Sequence, residues 1–106
     1  MKQTLLTITF LFLLTFPLFA QTEETGVLYQ YNTSSGFVWK TFGKDEVQPK
    51  YKGEISNGTP EGLGVLSYPF TDGKRVVGEW KDGKECNTEH YKKDGKLIGK
   101  YENGKW

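Results

Sequence analysis

The chain has 106 residues, with 14 Lys+Arg against 13 Asp+Glu and one cysteine, Cys86. Near-zero net charge excludes a general attraction to nucleic acid or to anionic lipid. A lone cysteine excludes an internal disulfide.

The first twenty residues, MKQTLLTITFLFLLTFPLFA, place Lys2 before an apolar run from Leu5 to Phe19 and end at Ala20. This layout predicts a secretory signal peptide over residues 1–20, cleaved between Ala20 and Gln21. The alternative is a retained membrane anchor, for which the run is short and Pro17 poorly placed. Cleavage leaves 86 residues, one small domain that is periplasmic, secreted or envelope-associated. This mature part holds all 13 glycines and 12 aromatic rings among 25 hydrophobic residues, with no alanine and few leucines. Pleated sheets favour aromatic and β-branched residues, whereas helices favour Ala and Leu, so the expected class is all-β.

Residues 21–50 read as a hairpin and linker. In GVLYQYNTSSGFVWKTFG, Val27, Tyr29 and Tyr31 alternate, NTSSG turns, and Phe37 and Trp39 flank Val38. The segment is expected to cap the first edge of a sheet built by residues 51–106.

Downstream, YKGEISNG (Tyr51–Gly58) is matched by VVGEWKDG (Val76–Gly83) and LIGKYENG (Leu97–Gly104). Three occurrences at 21- to 25-residue spacing mark an internal repeat, with units 51–73, 76–95 and a partial 97–106. Each reads as a strand, an Asn-Gly or Asp-Gly turn and a return. Gly58, Gly83 and Gly104 serve turns. Gly53, Gly64, Gly78 and Gly99 fall within strands, where a missing side chain opens a slot for a ring from a neighbouring strand. Tyr51, Tyr68, Trp80 and Tyr101 are the expected rings.

The segment resembles the MORN repeat (membrane occupation and recognition nexus), whose pattern is Tyr-x-Gly-Glu-Trp-x-x-Gly-x-x-x-Gly-x-Gly. Tyr51, Gly53, Glu54, Gly58, Gly62 and Gly64 match it in the first unit, and Gly78, Glu79, Trp80 and Gly83 in the second. Gly99, Tyr101 and Gly104 match it in the third. PFTDG is two residues longer than the usual turn, and Asn87 and Glu89 stand where two strand glycines are expected. The resemblance implies a single-layer antiparallel sheet of successive hairpins. It also implies a scaffold role, through protein–protein contact, self-association or phospholipid contact.

Catalytic chemistry has little to draw on. Cys86 and His90 are the most enzyme-like pair, but no orienting group is indicated. One Cys and one His are too few for a zinc site, and no cofactor is expected. Glu54 and Glu79 recur at repeat spacing, which fits a solvated strand face or cross-strand salt bridge better than paired catalytic carboxylates. Lys92, Lys93, Lys96 and Lys100 are interspersed with acids and read as a solvated face. Tyr68, Trp80, Tyr101 and Trp106 form the candidate binding surface, with a core role for the first three as the plainer reading.

The expected function is therefore a non-catalytic exported binding module. It pairs with a partner protein or a second copy through the C-terminal edge strand, Leu97–Tyr101. A peripheral membrane module is the alternative, and a small enzyme or carbohydrate binder ranks third.

Overall fold

The computed structural model describes residues 24–69 and 73–106; the expected signal peptide, its expected cleavage between Ala20 and Gln21, and Phe70–Asp72 lie outside them. Seven strands account for most of the rest: β1 (Glu24–Thr33), β2 (Gly36–Lys40), β3 (Lys50–Ser56), β4 (Thr59–Ser67), β5 (Arg75–Lys81), β6 (Lys84–Tyr91) and β7 (Leu97–Tyr101). They form one antiparallel sheet in the order β2-β1-β3-β4-β5-β6-β7, curled into a half-barrel, with no helix among the described residues. The all-β expectation holds.

Two-residue turns join β1 to β2, β3 to β4 and β5 to β6, another follows β7, and the last three repeat one geometry. Asn57-Gly58, Asp82-Gly83 and Asn103-Gly104 have φ of 54° and 76°, 52° and 78°, and 53° and 82°. Two successive residues at positive φ make a two-residue hairpin whose twist matches that of the strands it joins. The SNGTPEG loop is accordingly shorter than the sequence suggests, and β4 begins at Thr59. Pro60 enters the strand opposite Ile55, one step from the closing pair Ser56–Thr59. There its missing N–H is not needed by β3. Its carbonyl accepts from Gly83 N at 3.0 Å, so the second turn rests on the first hairpin.

Cross-strand register builds the core. Leu28, Tyr51, Leu66, Val76 and His90 are successive partners across five strands. Beside them runs a glycine row, Gly26–Gly53–Gly64–Gly78, that ends on Thr88. Leu28, Tyr51, Leu66, Val76 and Trp80 form the buried cluster, with Trp39, Ile55 and Tyr68 packed against it. Tyr51 lies over Gly64, and a Cβ there would collide with its ring. The phenol donates to Glu54 O at 2.7 Å. Tyr51 and Trp80 meet edge-to-face at 5.4 Å, and Trp39 reaches from β2 across the concave side to within 6.2 Å of Trp80. Its indole N–H donates to Gly83 O at 3.2 Å, tying the first hairpin to the third.

Three expectations need correction. Gly78 is not covered by a ring: at φ +143° it lies against β6 backbone, where a Cβ would come 2.8 Å from Thr88 Cα. Gly99 is covered by Trp106 rather than Tyr101. In β1 the buried residues are Leu28 and Gln30, not the alternating Val27, Tyr29 and Tyr31. Leu28 pairs with Tyr51 and so joins the core row. Tyr29 and Tyr31, on the opposite face, are met by the linker, through Asp45 Oδ1 at 2.8 Å and Phe42 O at 2.9 Å. Those contacts pin the linker to the back of the hairpin, while β1 itself pairs along the edge of β3.

Candidate functional site

The signature glutamates act on backbone irregularities, not as a carboxylate pair. A bulge interrupts the β3–β4 register between Gly53 and Ile55. Glu54 Oε1 accepts there from Leu63 N at 2.6 Å. This is a charge-assisted bond to a donor that the sheet ladder leaves over. The β5–β6 bulge falls beside Glu79, whose Oε1 accepts from the Asn87 side-chain amide at 2.8 Å. Asn87 Oδ1 in turn accepts from Asn103 N at 2.9 Å in the next turn. Glu79 lies exposed on its strand, one of the two expected placements, and among the described residues neither glutamate is in a salt bridge.

The second bulge also shifts which residue replaces a glycine. Gly64 faces Gly53 and Thr88 faces Gly78, so Thr88, not Glu89, stands at the equivalent position. Thr88 is 2% exposed. Its hydroxyl donates to Glu85 Oε1 at 2.5 Å, and His90 Nε2 lies 2.6 Å from the same oxygen. His90 thus engages Glu85 and not Cys86, whose sulfur meets the Asn87 amide at 3.5 Å. No group of three or more His, Cys, Asp or Glu able to hold a metal occurs among the described residues.

The four candidate binding residues do not form one surface. Trp80 is buried, its indole N–H donating to Gly64 O at 3.3 Å. Tyr68 is half-buried at the end of β4, and burial, with Glu85 adding, raises its phenol pKa. Tyr101 stacks on His90 at 5.8 Å, and Trp106 stands edge-on to both, 4.8 Å from His90 and 5.3 Å from Tyr101. Trp106 nonetheless keeps 64% of its surface exposed.

Trp80 and Tyr101 do share a hollow, of about 380 Å³, on the concave face. Gln30, Phe37, Lys84 and Glu85 complete its walls, with turn glycines Gly83 and Gly104 at one end. A second hollow, of about 430 Å³, adjoins it, since Gln30 and Phe37 line both; Tyr68, Val47 and Pro49 lie on its far side. Sequence reasoning missed Gln30, Phe37 and Glu85. Only the curl of the sheet, which brings β2 over β5 and β6, places them together.

The C-terminal edge differs from expectation in one respect. After β7 the chain turns at Asn103-Gly104, and Glu102 and Lys105 exchange backbone bonds of 2.8 and 3.1 Å. The return covers the end of β7, while Leu97 and Ile98 remain 52% and 46% exposed beside the uncovered part.

No family model, no curated protein and no solved structure matches the chain.

Proposed function

We propose that the chain is an exported, non-catalytic MORN-type assembly module that pairs with a second copy or a partner protein along β7. The recurrence of one turn geometry at three sites, each one closing a strand that carries the repeat signature, is the observation that carries the repeat reading. Export rests on the apolar leader, Leu5–Phe19, before Ala20. The engagement of His90 by Glu85 supports a structural use of the one imidazole.

Pairing along β7 is supported by its position as a terminal strand bonded to β6 alone, with apolar Leu97 and Ile98 exposed at that edge. Unpaired strand edges are templates for further strands. Glu102 turns its N–H and C=O outward to Lys105, so those of Lys100, two residues earlier, point the same way. Lys100→Pro removes that outward donor while sparing the β6 ladder. The native chain is expected to sediment as a dimer, or with its partner, at micromolar concentration, and the variant as a monomer. A native monomer that captures no partner through β7 counts against the reading.

A further inference from the structure

The two adjoining hollows of the concave face meet at Gln30 and Phe37, and neither residue is used by the fold in the ordinary way. Gln30 is 8% exposed, yet its side-chain amide has no hydrogen-bond partner among the described residues. The residue is buried but its amide atoms stay open to the hollow, where a ligand can offer a donor and an acceptor in place of water. Phe37 is 62% exposed and has no ring partner among the described residues. Across the hollow, Glu85 has one oxygen taken by Thr88 and His90, while its second accepts no hydrogen bond among them.

We propose that this groove binds a short neutral oligosaccharide carrying acetamido groups. A pyranose has apolar C–H faces and a rim of hydroxyls, so it needs rings to lie on and planar polar groups at its edge. Phe37 and Tyr101 supply the rings, Gln30 and Glu85 the planar groups. An acetamido group presents one carbonyl and one N–H side by side, the complement of the Gln30 amide. Lys84 and Glu85 bring opposite charges to the lining, which favours neither an acidic nor a basic ligand. A polypeptide is less well served: an added strand would lie along an open edge, β2 or β7, in the plane of the sheet and not in the hollow that Phe37 and Tyr101 line. Tyr101 belongs to β7, but its side chain lines the hollow whereas pairing would use the outer backbone groups of the strand, so the site does not require dimerisation.

The test is a titration of the full chain with chitotriose, followed by nuclear magnetic resonance of the Gln30 side-chain amide and the Phe37 ring. Saturable shifts at both, with a dissociation constant of about 1 mM or tighter, are expected. Phe37→Ala and Gln30→Leu should each weaken binding by about tenfold or more. Leu63→Ala, on the opposite face and 65% exposed, should leave it unchanged. Phe37 is exposed enough that its variant keeps the fold, which an unchanged amide spectrum verifies. Absence of saturable binding overturns the proposal, as does binding indifferent to Phe37→Ala. A mixture of decapeptides that produces these shifts where chitotriose does not would assign the groove to polypeptide instead.

Discussion

The hairpins β3–β4 and β5–β6 have the same turn and the same signature Gly-Glu, but they fill their interiors by opposite means. In the first, Tyr51 lies on Gly64 and anchors its phenol to backbone carbonyls. In the second, Val76 stands where Tyr51 does, Thr88 where Gly64 does and His90 where Leu66 does. Losing the ring leaves space, and the missing glycine fills it: Thr88 and His90 converge on Glu85 in a small hydrogen-bonded cluster. A departure that looks like decay at one position is therefore matched by its neighbours. The two hairpins have filled volume and satisfied polar groups in common, not residue identity.

The largest expected effect comes from forcing one solution onto the other. Gly64→Thr puts a side chain into the Tyr51 ring and should cost about 3 kcal/mol or prevent folding. Adding Tyr51→Val removes the obstructing ring and recreates the pair found in the second hairpin. In denaturant titrations the double variant should be more stable than Gly64→Thr alone, with a coupling of at least about 1 kcal/mol. Additive losses would show that ring and glycine are independent, and the comparison would fail.

This compensation explains how much was legible in the sequence. Turns were legible, because Asn-Gly and Asp-Gly encode positive φ locally, and so was the all-β class. Tyr51 was legible as one of four rings available to strand glycines, but not that Gly64, across the hairpin, is the glycine it covers. Thr88 was not, since identifying it needs the length of the bulge, and a fixed 25-residue shift points to Glu89 instead. The third unit shows the same limit. Gly99 follows its turn one residue sooner than Gly78 follows the preceding loop, and Ile98 is bulged out. The strand slips by two residues, so Tyr101 faces Thr88 and Gly99 faces His90. Trp106 then covers a glycine that Tyr101 cannot reach. The groove was invisible for a further reason: Gln30 and Phe37 come within reach of Glu85 only because the sheet curls.

A second way to sharpen the comparison uses alkaline pH, because the first hairpin hides a phenol where the second has a valine. Burial, with Glu54 and Glu61 adding, pushes the Tyr51 pKa from 10.0 up to about 12. The neutral form is favoured in the folded state. Its contribution is therefore fully present below pH 10 and is lost as pH rises through about 12. Roughly 2 kcal/mol should disappear across that window. Tyr51→Phe should start less stable, having lost the bond to Glu54 O, but should decline less steeply. Parallel declines in the two proteins would mean that other tyrosines, Tyr68 among them, dominate the alkaline transition.

The smallest expected difference lies between the two signature glutamates, and it separates sequence equivalence from physical equivalence. Glu54 satisfies a backbone N–H beside a bulge, at 2.6 Å, whereas Glu79 satisfies one hydrogen of an exposed side-chain amide, at 2.8 Å. Removing Glu54 leaves Leu63 N without that acceptor and loosens a strand that carries Gly64 and Leu66 into the core. Removing Glu79 releases an amide that water can serve at once. Asn87 keeps its bond to Asn103 N through the other end of its side chain. Glu54→Ala should therefore cost about 1 kcal/mol and Glu79→Ala only a few tenths. Hydrogen exchange gives the finer reading. Protection of Leu63 N–H should fall in Glu54→Ala, while that of Asn103 N–H should persist in Glu79→Ala. Equal losses of stability would mean that the second glutamate holds its bulge as firmly as the first, through a route other than Asn87.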